Sequence, residues 1–415
     1  MKKTKQNNTA TKSNIVMKKT IEEFNKIFTS KNLGLVGVDE ELKQLKYAIL
    51  TREHLYIEGE PGTAKSMLAS RVFQSFKNSS LFSIHMNKEI TDDAIFGPVD
   101  VQKYKDKGEY VRKTDGMLLD AQFAFFDELF DASEDTLRTL LGVLNERKWS
   151  RGKQIVNAKL MTAIATANYS IENEKTQAVV DRFIFKAKSN SNMSQRQMTE
   201  MFKNYIAEDG TQEFKPSITI DLAQVEALSN LVCSPNTVSF DDEILSVYYS
   251  LIDDFKRETN KFISNRVANK GLKVVKASAL LNGRKKVNAD DIAELKYVLC
   301  KLNDTSSNEK AVFSASLGKA VAILKIKDQL DEIKEVAEGI IKTDIMKLNP
   351  GELIKLVRGS KLYLDQIEQI KNTIGGKLPD AYEREVAEIK NKLRQKISKL
   401  QEEIDKITKE ARATE

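Results

Sequence analysis

The sequence predicts an α/β domain built on a parallel sheet, followed by an all-helical domain and a C-terminal helical, coiled-coil-like region. Three observations predict it. Short apolar runs alternate with amphipathic segments between about residues 54 and 185, the pattern of strands joined by helices that cover both faces of a parallel sheet. The strand signals fade after about Gln195. Apolar residues then recur at three- and four-residue steps toward the C-terminus. Only 6 prolines and 18 glycines interrupt the 415 residues, which favours long helices.

The elements follow in order. Residues 1–20 carry Lys2, Lys3, Lys5, Lys12, Lys18 and Lys19, no acid and few apolar groups, and read as a disordered basic tail. The whole chain has a net charge of +6, from 66 basic and 60 acidic residues. Removing the six tail lysines leaves 60 against 60, so the body is neutral and its charge does not point to nucleic acid. Ile21–Phe28 reads as a short amphipathic helix, Leu33–Gly37 as a loop, and Asp39 as the cap of a helix through Leu50. Strands are expected at His54–Ile57, Leu81–Ile84, Ala121–Phe126, Leu160–Ala165 and Phe183–Phe185, with helices at Ser66–Phe76 and Glu134–Glu146. Residues 21–190 thus form the α/β domain. Residues 191–303 form a helical domain, with helices at Leu222–Leu231, Asp241–Phe255, Asn265–Leu281 and Asp290–Leu299.

A polar break at Asn303–Asn308 opens a region running from 304 to 415. Ile326, Leu330, Ile333 and Val336/Ala337 begin an apolar seam, and Val386, Ile389, Leu393, Ile397, Leu400, Ile404 and Ile407 form a second one with a single stutter. Asn349-Pro350-Gly351 and Gly375-Gly376, with Pro379, divide the region into about three helices, read as a helical hairpin or antiparallel coiled coil. Two cysteines, Cys233 and Cys300, lack metal-ligand spacing and point to a reducing compartment. No signal peptide or membrane-spanning run occurs in the sequence, which makes the cytoplasm the expected location.

The chemistry concentrates in the α/β domain. Gly59, Glu60, Pro61, Gly62, Thr63, Ala64, Lys65 and Ser66 lie between a strand and a helix, where backbone N–H groups and the positive helix end would face phosphates. Lys65 would reach the β- and γ-phosphates of ATP, and the Ser66 hydroxyl would ligate Mg2+. Position 64 departs from the usual glycine, and a methyl group there is tolerable if the backbone keeps a negative φ. Asp127 ends an apolar strand and would act on Mg2+, while Glu128 would polarise the attacking water. Asn168 is positioned either to orient that water or simply to make a turn. Arg182 would complete a neighbouring subunit's site as an arginine finger, or pair with Asp181 or another acid of its own chain. Two polar stretches, Asp92–Gly116 and Asn145–Asn157, look like insertions that either carry function on loops or decorate the surface. The second holds Trp149, which either packs or binds, beside Arg147, Lys148, Arg151 and Lys153.

These residues in this order resemble the MoxR group of AAA+ ATPases, and most closely its RavA-like branch. The resemblance spans about Leu33 to Leu299. It rests on the Gly59–Ser66 segment, Ile95-Phe-Gly-Pro98, Phe126-Asp-Glu128, Asn145-Glu-Arg147, Thr166-Ala-Asn168, Asp181-Arg-Phe183, Ser264-Asn-Arg266, Ala277-Ser-Ala279 and Gly283-Arg284. Alanine at position 64 is usual in that group. The resemblance implies an AAA+ P-loop core with a helical lid. It implies adenine contacts at Val36 and Gly37 and nucleotide contacts running through Met67. Asn168 becomes sensor 1, Arg182 the arginine finger and Arg266 sensor 2, while the two insertions become the helix-2 insert and the pre-sensor hairpin. It further implies a hexameric ring that remodels a protein partner, with a protein bearing a von Willebrand factor A (VWA) domain as co-worker. After about residue 305 the chain departs from the RavA-like pattern, offering helices where that pattern has strands. Two functional readings follow: an ATP-hydrolysing remodelling motor, and a nucleotide-gated assembly module that works through its C-terminal helices with slow hydrolysis.

Overall fold

The computed structural model describes residues 16–151, 154–168, 179–189, 193–207, 214–304, 307–373 and 380–413. The tail up to residue 15, Lys153 and the Gly375-Gly376/Pro379 break lie outside the described residues, as do the side chains of Ile326 and Leu330. The described residues fall into two compact units. One comprises those up to Leu245 with Ile252–Ser314, and the other Ser246–Leu251 with those from Ala315 onward. The expected boundary at residue 304 therefore moves into the helix Glu309–Lys342.

The first unit holds a five-stranded sheet of β1 (Leu55–Glu58), β2 (Leu81–His85), β3 (Phe123–Asp127), β4 (Thr162–Ala167) and β5 (Phe185–Lys188), all parallel, in the spatial order β2-β3-β4-β1-β5. β1 and β4 are buried at every position and β3 at all but its last, because both faces are covered. Several strands start a residue or two later than their apolar runs. At β1 the cause is His54, whose buried imidazole sits beside the strand entrances and accepts a hydrogen bond from Ala163 N–H at its Nδ1 (2.9 Å).

Helix α1 (Asp39–Thr51) has Val38 at its cap position, so Asp39 is not the cap. Its carboxylate instead accepts the Ser30 hydroxyl at 2.6 Å. Helix α2 (Lys65–Phe73) stops short of the expected Phe76, because Phe76–Lys77 forms a two-residue strand with Ile220–Asp221. That pairing corrects the reading of the later region as entirely helical, since two residues show no periodicity. Helix α3 (Glu134–Glu146) is capped by Ser133, which accepts from Thr136 N–H, and carries Glu134 and Asp135 in its first turn, where they complement the helix dipole. A helix over residues 16–27 corrects the expected disorder of residues 16–20. Ile21, Phe24 and Ile27 bury one face of it, and the buried Thr20 hydroxyl donates to Val16 O.

The two insertions pack together. In 92–116, the Arg112 guanidinium is held by Asp93 (2.6 Å) and Gly97 O and lies 5.2 Å from the centre of the Trp149 ring. Trp149 stands on an antiparallel hairpin, Lys148–Arg151 with Gln154–Asn157, and is 3% exposed beside Phe96. Trp149 therefore packs. A side chain at Gly97 would collide with Lys113 O, 1.8 Å from an added Cβ, which explains the glycine of Ile95-Phe-Gly-Pro98.

Helices α4 (Leu222–Cys233) and α5 (Asn265–Leu281) pack on α1. Arg52, capping α1, donates to Ser229 and Asn230, and the buried Glu53 accepts Lys270 at 2.5 Å. The Ser278 and Arg284 motif is structural. Both bind the fully buried Asp291, Ser278 at 2.6 Å and Arg284 through two nitrogens at 2.5 and 2.7 Å.

In the second unit, Pro350–Thr373 and Asp380–Ala413 form an antiparallel pair: Leu353 packs with Leu400, and Lys390 reaches Glu368 at 2.6 Å. The 386–407 seam closes within the chain, since Leu393 also meets Ala337 and Ile340 of Glu309–Lys342. Among the described residues, no helix is long and apolar enough to cross a membrane. Asp291→Ala, which strands Arg284 and Ser278, is expected to destabilise the first unit by about 3 kcal/mol, measured as a lower urea midpoint of helical circular dichroism.

Candidate functional site

The sheet register brings the chemistry to one edge. Glu58 lies beside Ala167, Phe126 beside Ala165 and His85 beside Asp127, so the carboxyl ends of β1, β3 and β4 present Gly59, Asp127–Glu128 and Asn168 side by side. The Gly59–Ser66 segment turns from β1 into α2. Lys65 is buried there, and its ammonium donates to Gly59 O (2.5 Å), Glu60 O (3.0 Å) and Asn168 Oδ1 (3.0 Å). Burial lowers its pKa, opposed by the nearby charges of Glu128 and Asp127.

From Lys65 a continuous path of hydrogen bonds crosses the edge. Asn168 N–H donates to Glu128 Oε2 (3.0 Å), Glu128 N–H donates to the Thr166 hydroxyl (3.3 Å), and that hydroxyl donates to Asp127 Oδ1 (2.6 Å). Thr166 is thus a site residue that sequence reasoning passed over, although it lies in the motif that singled out Asn168. Its role depends on β3 lying next to β4, which no local pattern shows. His85 is another, with Nδ1 3.4 Å from Asp127 Oδ2.

The segment is a cradle of backbone N–H groups whose chemistry suits an anion. Among the described residues, the N–H groups of Gly62, Thr63 and Ala64 have no acceptor, and they lead into the amino end of α2. Ser66 and Met67 are exposed at that helix start. The expected condition on Ala64 fails: it adopts φ 59°, ψ 21°, the left-handed conformation, so the methyl is accommodated under strain of about 1–2 kcal/mol. Glu128 is likewise left-handed, at φ 52°. Such strain at the two motif turns is typical of sites whose surroundings over-determine the backbone.

A third residue missed in the sequence is Ser189. Its hydroxyl accepts from Thr63 Oγ1 (2.9 Å) and its N–H donates to Glu58 O (2.6 Å). A Cβ at Gly59 would lie 1.8 Å from Ser189 Oγ, so only glycine fits there. The Val36–Gly37 turn rests against Met193 and Gln197, 3.4 and 3.6 Å from a Cβ built at Gly37.

Arg182 and Arg266 do not join this group. Arg182 precedes β5, beside Phe183, whose ring packs on His54 at the amino end of the strands. Asp181 is taken by Lys186 at 3.3 Å. Among the described residues Arg182 pairs with no acid, and its buried Nε has no acceptor. Arg266 is bonded to Asn145 at the end of α3, next to Arg147, which donates to Arg52 O (2.5 Å) and Met161 O (3.2 Å) at the strand entrances. Both arginines therefore stand at the amino edge of the sheet, a strand's length or about 13 Å from the cradle, at about 3.3 Å per residue. Arg266, for which the resemblance implies the sensor 2 role, is thus bonded away from the cradle of its own chain. The cause is the docking of α4 and α5 on α1, which holds the helical region at that end.

Residues 22–230 match the family model of the MoxR domain in the MoxR-vWA-beta-propeller ternary systems, and residues 243–313 match an AAA lid domain. Two uncharacterised proteins of Methanocaldococcus jannaschii are similar. One is 30% identical over 79% of this chain and 84% of its own length, the other 29% over 80% and 84%. A structural protein of Acidianus two-tailed virus is 28% identical over 39% of this chain and 27% of its own length. A crystal structure of a protein from Cytophaga hutchinsonii superposes with a TM-score of 0.57 at 19% identity, covering 75% of this chain and 97% of that one, and shares the fold.

Ala64→Gly, which relieves the left-handed alanine, is expected to raise stability by up to about 1 kcal/mol. Thermal unfolding of the two proteins checks this, and a lower midpoint for the glycine variant counts against the strain.

Proposed function

Because the chain belongs to the MoxR family of AAA+ ATPases, we propose that it hydrolyses ATP at the Gly59–Asn168 edge, in a hexameric ring that remodels a protein partner. The observation that carries the reading is the unbroken path Lys65–Asn168–Glu128–Thr166–Asp127, which brings a cation, an amide and two carboxylates together on one sheet edge.

The free amides of Gly62–Ala64 and the amino end of α2 bind the phosphates, and Lys65 exchanges its loop carbonyls for the β- and γ-phosphate oxygens. Val36, Gly37 and Met67 line the nucleotide's other contacts. Two carboxylates beside a polyphosphate need a compensating cation, and Ser66 and Asp127 offer the hard oxygen ligands that suit Mg2+. Mg2+ would neutralise charge on the β- and γ-phosphates. Thr166 holds Asp127 in place for that task. Glu128, anchored through Oε2 by Asn168 N–H, keeps Oε1 to take a proton from the attacking water. Asn168, its oxygen held by Lys65, turns its NH2 group toward the same water.

Neither Arg182 nor Arg266 reaches the cradle of its own chain, so their charges serve catalysis only at a neighbour's. That supports intersubunit active sites and a ring, with Arg182 as the finger and Arg266 as a second cation from across the interface. The partner is proposed to be a VWA-domain protein, in line with the ternary systems for which the matching family model is named.

Glu128→Gln is expected to lower turnover at least about 100-fold while keeping ATP binding, read by phosphate release and by titration with a fluorescent nucleotide. Arg182→Ala alone is expected to be similarly inactive. Mixing the two dead variants should restore part of the activity, since some interfaces then combine an intact Glu128 with an intact Arg182. A mixture that stays inactive sinks the intersubunit assignment.

A further inference from the structure

Ser189 does not hold the phosphate loop unaided. It directly follows β5, an edge strand of the sheet, and the free side of β5 is closed by residues 301–304. Leu302 forms a parallel bridge with Ala187, accepting from Lys188 N–H (2.7 Å) and donating to Lys186 O (3.1 Å). Two ion pairs fasten this short stretch. Lys301 Nζ reaches Glu58 Oε2 at 2.8 Å, and Lys188 Nζ stands 3.9 Å from Asp304 Oδ1. Glu58 is buried and is the last residue of β1, bonded directly to Gly59, so Lys301 grips the stem of the loop from outside. Asn303 adds a bond to Glu41 of α1 at 2.8 Å.

The same stretch is tied forward along the chain. Glu309 is the first residue of the helix Glu309–Lys342, and its carboxylate accepts Lys301 N–H at 2.9 Å and Lys261 Nζ at 2.9 Å. A continuous set of bonds therefore runs from Thr63 in the loop through Ser189, β5 and residues 301–302 to Glu309.

We infer that residues 301–304 are a strap that sets the geometry of the phosphate loop through Ser189 and the Glu58–Lys301 pair, and that Glu309 carries the loop's occupancy to the start of the long C-terminal helix. This rests on the reading of the loop as an ATP site. Lys301, Ser189 and Glu309 are positioning residues, since none of them touches the phosphates. The physical argument is one of populations. A loop held in its binding geometry only part of the time binds with an affinity reduced by that fraction, whereas the chemistry of the occupied site is unchanged. The coupling is reciprocal, so bound nucleotide must in turn steady the strap.

The test uses the full chain. Lys301→Met is expected to raise KM for ATP about fivefold or more, with kcat within about twofold of wild type, and Lys301→Arg is expected to restore KM. A merely structural role would instead lower the active fraction, and so the apparent kcat, at constant KM. Lys301→Met leaves Glu58 buried without its partner, so the double variant Glu58→Gln/Lys301→Met is measured beside it and is expected to show the same split. Hydrogen exchange on the wild type gives a reading without mutation: a non-hydrolysable ATP analogue should slow the Lys301 and Leu302 amides, and Glu309→Gln should reduce that slowing. If the wild type binds ATP and both Met variants keep its KM, or the analogue leaves those amides unchanged, the strap is overturned alone. If the wild type binds no ATP, the reading of the loop falls and the strap with it.

Discussion

The two hydrogen bonds of the Thr166 hydroxyl hold the register on which the site depends. The Thr166 hydroxyl, on β4, donates to Asp127 on β3 and accepts from the backbone of Glu128. A slip of one residue between these strands would turn Thr166 to the other face and separate the acidic pair from Asn168. With the register held, Lys65, Asn168, Glu128, Thr166 and Asp127 form one hydrogen-bonded line across the edge. Buried networks of this kind are costly when partly satisfied.

The opposite edge of the sheet obeys a different logic. There, burial and positive charge coincide around His54. Burial and the neighbouring Arg147 hold its imidazole well below its ordinary pKa and therefore neutral. Arg147 itself is lowered to about 10 by burial, and it spans the entrances of β1 and β4 through backbone carbonyls. Glu53 takes Lys270 and Lys273, which fixes the helical region to this end. The sheet thus separates the edge that carries Lys65, Asn168, Glu128 and Asp127 from an edge where Arg147, Lys270 and Lys273 gather.

Much of this was legible in the sequence where the signal is local. Gly59–Ser66 and Asp127–Glu128 announce themselves because a tight turn, a helix start and a strand end each leave a mark within a few residues. The helices Glu134–Glu146 and Asn265–Leu281 match their expected bounds because their periodicity and caps are local too. What stayed hidden is non-local. The bonds of Thr166 need the adjacency of β3 and β4, Ser189 needs the edge position of β5, and the placement of Arg266 needs the docking of the helical region on α1. Ala64 illustrates a different limit: the residue was noticed, but its backbone conformation is set by the loop around it and not by its own preference.

The single tryptophan gives the insertion a built-in optical signal. Trp149 is sealed between Phe96 and the Arg112 guanidinium, at the contact that joins the 92–116 stretch to the 148–157 hairpin. With no second indole in the chain, all tryptophan emission arises at that seam. Any event that lifts the insertion from the hairpin admits water to the ring and shifts its emission to longer wavelength, so the movement of this one joint can be followed in the unlabelled protein.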